Sequence, residues 1–154
     1  YGLYHRNRLA IAPNGSISYV NETSASLHPI TQLIEQRQEN NVGSIFYPAP
    51  FLSDETLPFY TPAYDMDQRK IIDTYAVAQK HIDQGMSLTL FMRSVLPEGI
   101  YEWKKNGTSL MTTRDLNRLR NYAWTKGIKS LYYVRTFTED DEIHTANEST
   151  SCMI

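Results

Sequence analysis

The feature that most constrains the fold lies in the second half of the chain, where three segments of different periodicity follow one another. Ser87 to Met92 alternates polar and apolar residues, which places Leu88, Leu90 and Met92 on one side of a strand. A polar hairpin or loop around Gly99 and Gly107 follows. Thr112, or Thr113 beside it, can then cap a helix, and Thr112 with Asp115 approximates a capping box in which the acid stands in for Glu. Leu116, Leu119 and Ala123 form the apolar stripe of that helix, and Gly127 stops it. Lys129 to Thr136, rich in Tyr and Val, reads as a second strand. Strand, helix and strand in this order predict a parallel crossover, and hence an α/β sheet or barrel.

The first half is less regular. Leu9 to Ala12 reads as a short buried strand, followed by the turn formers Pro13, Asn14 and Gly15 and a second apolar stretch, Ile17 to Val20. Pro29 is placed to occupy the first turn of a short helix through Arg37, where its missing N–H costs nothing. Pro48, Pro50, Pro58 and Pro62 predict an extended, irregular connection from Asn40 to Pro62. The clearest helix spans Asp67 to Gln84, with Ile71, Tyr75, Ala78 and Ile82 on one face and Gly85 as its left-handed cap.

Composition narrows the classes of function. The 154 residues fit one ordinary domain or a part of a larger one, and the apolar and charged shares of 41% and 21% are those of a globular protein. A net charge of -2 gives no basic footprint for nucleic acid, and Lys104 with Lys105 is too short a run to make one. Cys152 is the only cysteine, so no internal disulfide forms and a Cys-rich metal site is excluded. His5, His28, His81 and His144 show no ligand spacing, and no metal site is expected. No apolar run approaches the roughly 20 residues of a membrane span, and no signal peptide is visible, so a cytoplasmic protein in a reducing compartment is expected. The chain starts at Tyr1, without methionine, and soon enters an apolar run, as a fragment or processed product would.

Three constellations carry candidate chemistry. The first is the run from Ala12 to Ser18. A strand that ends in a Gly-containing turn can aim successive N–H groups at an anion, with the Ser16 and Ser18 hydroxyls as further donors; an Asn-Gly hairpin turn is the alternative. The second is Tyr132-Tyr133. Two phenols can relay a radical, but neighbours in a regular strand face opposite sides, so a relay needs the strand to bend or end there; separate packing roles are the alternative. The third is Cys152, at the tip of a segment that from Thr138 loses its apolar pattern and carries the acidic run Glu139, Asp140, Asp141 and Glu142. A mobile tail is expected there, since it cannot bury enough apolar surface to offset ordering. Acidic neighbours disfavour its thiolate, although an exposed thiol can reach distant disulfides. Asp83 and Glu98 read as solvated or capping acids.

Three stretches in order resemble the large subunit of class I ribonucleotide reductases, especially the class Ib form: Ala12 to Tyr19, His81 to Leu88, and Ile128 to Thr136; the terminal Ser151 to Ile154 also fits. The resemblance covers nearly the whole chain. It implies the C-terminal portion of a ten-stranded α/β barrel over residues 1–137, then a flexible tail over 138–154. It implies that Pro13, Asn14, Gly15, Ser16 and Ile17 hold the diphosphate of a ribonucleoside diphosphate, and that Tyr132 and Tyr133 pass a radical from a small (beta) subunit toward a catalytic cysteine. The chain itself would bind no cofactor. The implied partners are that small subunit, with its di-iron or di-manganese centre, an N-terminal part of the large subunit, and a thioredoxin- or glutaredoxin-like reductant. The family's radical-bearing cysteine, its two reducing cysteines and its catalytic carboxylate lie upstream of this region. In the family the tail carries a cysteine pair, often Cys-x-x-Cys; here Ser149 stands at the partner position of Cys152. A nucleotide-binding module or inactive remnant is the alternative function.

Overall fold

The structure, a computed structural model, describes residues 4, 5, 7–39, 43–96, 98–104 and 110–138. Cys152 and, apart from Thr138, the expected tail lie outside the described residues. The elements that form the core are α2 (Gln68–Gln79), β3 (Leu88–Arg93), α3 (Thr113–Thr125) and β4 (Leu131–Phe137). They are preceded by α1 (Gly15–Val20) and the strands β1 (Ile34–Glu39) and β2 (Gly43–Pro48).

β3 and β4 pair in parallel, with α3 in the connection between them, as the order of periodicities predicts. α3 begins with a complete capping box. The Thr112 hydroxyl accepts from the Asp115 N–H at 3.3 Å, and the Asp115 carboxylate accepts from the Thr112 N–H at 3.0 Å. That carboxylate is buried, and it also accepts from Trp103 Nε1 and Lys104 Nζ, each at 3.0 Å. Burial raises its pKa, but the hydrogen bonds from Thr112, Lys104 and Trp103 outweigh this and bring it down to about 2. Gly127, at φ 80°, ends the helix in the left-handed region.

The core is apolar and continuous: Ile71, Ile72 and Tyr75 from α2, Leu88, Leu90 and Phe91 from β3, and Leu119 and Ala123 from α3. β3 is buried on both faces from Leu88 to Met92, not on one side only. Tyr64 and His28 meet the Phe91 ring edge-on, at 5.2 and 4.8 Å between centroids, and close the face that alternation left open. Strands covered on both faces are the rule in parallel sheets.

Five sequence expectations need correction. The segment 29–37 holds no helix; β1 and β2 form an antiparallel hairpin, with Glu35 opposite Tyr47 and Arg37 opposite Ile45. Side chains from outside the segment decide this: the Tyr19 ring lies 4.5 Å from that of Tyr47, and the Arg37 guanidinium sits 4.2 Å above Tyr19. β2 thus falls inside the stretch expected to be irregular. α2 stops at Gln79 rather than Gln84, because the Gln79 amide turns back to donate to the carbonyls of Ile82 and Gln84, at 3.0 and 2.9 Å. Gly85 is not a left-handed cap; its role is close approach, since a Cβ there would lie 2.6 Å from Ser130 Oγ. Finally, Leu9 to Ala12 is not buried. Leu9 is 53% exposed, and pairing is limited to a parallel bridge between Ile11 and Met86. No helix among the described residues is long and apolar enough to cross a membrane.

Candidate functional site

The described residues bring two of the three constellations to the same end of the β3 region, on either side of the 82–87 turn. On one side runs the segment that leads into the glycine turn. Ile11 is bridged to Met86, the Ser87 N–H donates to the Ile11 carbonyl at 3.0 Å, and the Gln84 N–H donates to that of Leu9 at 3.1 Å. The chain leaves this alignment at Pro13. It does not fold back as a hairpin, because Gly15 opens a short helix, α1. The first N–H groups of a helix have no intrahelical acceptor, so this turn presents donors to whatever lies before it.

Within the loop, Pro13, Asn14 and Ser16 are exposed, and Ile17 is 61% exposed. A Cβ at Gly15 would meet nothing within 4 Å. The space in front of the glycine is therefore open. Ser18, grouped with Ser16 as a donor by its spacing, is withdrawn: it is buried and its Oγ donates to the Gly15 carbonyl at 2.5 Å. Tyr19 faces away from the loop and donates to Glu35; burial first, then the Glu35 carboxylate, push its phenol up to about 12. A cavity of about 390 Å³ lies on that side, lined by Tyr19, His28, Glu35, Tyr47 and Phe51, and does not include Pro13 to Ile17. The Glu35 carboxylate in its wall is engaged by Tyr19 and Thr31.

On the other side of the turn, β4 carries the two tyrosines. In a regular strand their rings would point to opposite faces, but the ladder slips here: Leu88 pairs with Leu131 and Thr89 with Tyr133, so Tyr132 is the extra residue of a bulge. The rings are thereby brought together, with centroids 4.1 Å apart and planes inclined at 58°. Tyr132 and Tyr133 are 49% and 51% exposed. A hydrogen bond to Tyr133 is the main cause that raises the Tyr132 phenol above its ordinary range.

Asp83, read from sequence as a solvated or capping acid, has a structural task. Its carboxylate accepts from the N–H groups of Arg8 and Leu9, at 2.7 and 2.9 Å. These bonds, Leu9 first, hold its pKa below the usual carboxylate range. No periodicity marks such a residue, because its partners lie 75 and 74 positions away. Among the described residues, no group of three or more His, Cys, Asp or Glu could hold a metal ion.

Comparison with known proteins gives the family. Residues 1–134 match the family model of the ribonucleotide reductase barrel domain. The chain is 48% identical over 136 residues to the ribonucleoside-diphosphate reductase NrdEB subunit alpha of Bacillus subtilis, covering 88% of this chain and 11% of that protein. It is 46% identical over 136 residues to the ribonucleoside-diphosphate reductase subunit alpha of the same organism, covering 88% of this chain and 17% of that one. Against the corresponding subunit of Mycoplasma pneumoniae it is 43% identical over 148 residues, 94% of this chain and 18% of the relative. The chain belongs to the ribonucleotide reductase large-subunit family, as a C-terminal fragment of the large subunit. It spans less than one fifth of the length of these relatives, and the described residues form an α/β segment with no closed barrel.

Proposed function

We propose that this chain is the part of a ribonucleoside-diphosphate reductase that holds the substrate diphosphate and relays the radical, and that it works only together with the rest of the large subunit. Residues 1–137 then complete a ten-stranded barrel supplied mostly by the N-terminal part, and 138–154 form a tail outside it. Pro13, Asn14, Gly15, Ser16 and Ile17 cradle the diphosphate: the N–H groups at the start of α1 and the Ser16 hydroxyl share its charge, and Gly15 leaves room for it. Ser18 supports the loop and does not touch substrate.

The observation that carries the proposal is the one-residue slip that sets Tyr132 against Tyr133. When one phenol is a neutral radical and the other intact, a hydrogen atom moves between their oxygens: the intact phenol loses one proton and one electron, and the radical gains both. Repeated along the chain of carriers, this brings an oxidising equivalent made in the small subunit to a cysteine of the large subunit. The small subunit's di-iron or di-manganese centre supplies that equivalent. The cysteine, its reducing pair and the carboxylate come from the N-terminal part, since this chain has only Cys152. A thioredoxin- or glutaredoxin-like protein restores the reducing thiols, in the cytoplasm.

Two substitutions in the assembled enzyme test this. Tyr133→Phe keeps the ring and removes the phenol, and it should lower turnover at least ~100-fold, about 2.7 kcal/mol in the barrier, with diphosphate binding retained. A Cβ at Gly15 meets nothing beyond its own helix within 4 Å, so loss of the calorimetric heat with a ribonucleoside diphosphate in Gly15→Val would report space needed by ligand. Full turnover with Phe at position 133 would exclude the relay. Heat retained with Val at position 15 would exclude the cradle, and failure of both readings would leave a vestigial fragment.

A further inference from the structure

The two proposed sites are held by the same short turn, and each by contacts that differ in kind. Toward the loop, Asp83 takes the N–H groups of Arg8 and Leu9, while Gln84 and Ser87 donate to the carbonyls of Leu9 and Ile11. Toward the tyrosines, the Ser130 hydroxyl donates to the Met86 carbonyl at 3.1 Å, and Lys129 Nζ donates to the carbonyls of Ile82 and Asp83, at 3.1 and 2.6 Å. Gly85 makes this approach possible, because a Cβ would stand 2.6 Å from Ser130 Oγ and 3.4 Å from its Cβ. The turn is itself braced from inside by Gln79, which donates to Ile82 and Gln84 and accepts the Lys129 N–H at 3.4 Å.

These contacts fall where the two sites need them. Ser130 lies two residues before the bulge at Tyr132, so the point at which β4 is pinned decides which residue is left over when the ladder slips. Within this chain β4 is exposed on both faces, so what this chain itself contributes to placing the rings is its backbone contacts. Arg8 and Leu9 likewise precede the loop in a stretch with little burial, and the Asp83 carboxylate fixes two successive donors at once. An ionised acceptor makes such bonds stronger than neutral ones.

We propose that the 82–87 turn is a shared positioning element, in which Asp83 sets the place of the diphosphate loop and Gly85, by admitting Ser130, sets the tyrosine pair. This rests on the reading of the loop and the tyrosines given above. Asp83 and Gly85 touch neither substrate nor the reacting phenols; they act through Leu9 and Ser130.

The test uses the assembled enzyme with a fluorotyrosine at position 132, followed by fluorine NMR, and amide hydrogen exchange at Arg8 and Leu9. Asp83→Ala should strip protection from those two amides and raise the KM for a ribonucleoside diphosphate about tenfold with kcat little changed, a loss of binding rather than chemistry. The titration of the labelled phenol should stay in place. Gly85→Val should do the reverse: the phenol titrates lower as its contact with Tyr133 opens, kcat falls about tenfold or more, and KM and the two amides are unaffected. Ser130→Ala, which removes the bond to Met86 without adding bulk, should shift the same readouts less. Asp83→Asn, with one acceptor oxygen left, should fall between the parent and Asp83→Ala.

If amide protection survives Asp83→Ala, or the phenol titration survives Gly85→Val, the positioning role is overturned. If both variants lower every readout together, the turn is a general fold element and the proposal is again overturned. If exchange and titration separate as expected while KM and kcat do not move, the positioning stands. In that case the assignment of loop and tyrosines as sites fails.

Discussion

β3 and β4 run side by side, paired residue against residue, yet they live in different surroundings. β3 is covered on both faces by α2, α3 and the 28–64 segment, and Leu88 and Leu90 are fully buried. β4 shows Tyr132, Tyr133 and Val134 to solvent at 49%, 51% and 41%. One strand is therefore fixed by packing. Within this chain the other is held by its partner's backbone and by the turn below it, and it carries a bulge and two adjacent phenols. A packed strand would bury one ring on each side and keep them apart.

The comparison can be broken or sharpened in three ways. The largest effect is expected from Phe91→Ala, which removes a ring buried on every side; the β3 amides should lose ~3–5 kcal/mol of protection in hydrogen exchange of the assembled enzyme. A loss below about 1 kcal/mol would mean that packing does not hold β3. Acid comes next. Asp115 has a folded pKa of about 2, below its ordinary value of 3.8, so its contribution is present above pH 4 and is lost as pH falls from about 4 through 2. That contribution is about 2 kcal/mol, and Asp115→Asn should flatten the acid limb of the unfolding curve. Because α3 joins the two strands, an acid limb that Asp115→Asn left unchanged would detach the capping box from their pairing. The smallest effect is Val134→Ala on β4, which should alter protection of the β3 amides by less than ~0.5 kcal/mol. A larger loss would show that the exposed faces of β4 support β3 after all.

How much of this was legible in the sequence follows the same division. Where a segment's own side chains decide its structure, the reading held: the capping box of Thr112 and Asp115, the stripe through Leu119 and Ala123, the stop at Gly127, and the parallel pairing of the two strands. Where distant partners decide, it did not. Ile34 to Glu39 has no apolar alternation of its own; it is a strand by pairing with Gly43–Pro48, and Tyr19 packs on Tyr47 of that partner. Gln79 ended α2 early through an amide reaching along the turn, and Gly85 served Ser130 rather than the helix. The candidate site was visible in the sequence as motifs, each with an alternative reading, and its geometry was not visible. The Pro13–Ile17 and Tyr132-Tyr133 segments stood out by residue type, but a slip of one residue in a ladder leaves no mark in a single sequence. Nor does a carboxylate bonded across 74 positions.

A last consequence concerns Gln68. It is fully buried, its Nε2 donates to the carbonyls of Ala63 and Met66 at 2.7 and 3.1 Å, and its Oε1 accepts the Phe91 N–H at 2.8 Å. Phe91 lies four residues beyond Ser87, and strand alternation puts both N–H groups on one edge of β3. Ser87 finds its acceptor in the Ile11 backbone, whereas Phe91 finds one in a side chain. The amide is a stand-in for a neighbouring strand. It meets the Phe91 N–H beyond the point at which the chain departs at Pro13. The departure of the loop from the sheet therefore leaves the Phe91 N–H with an acceptor inside the protein, so the path of the loop beyond Pro13 is not tied to that donor.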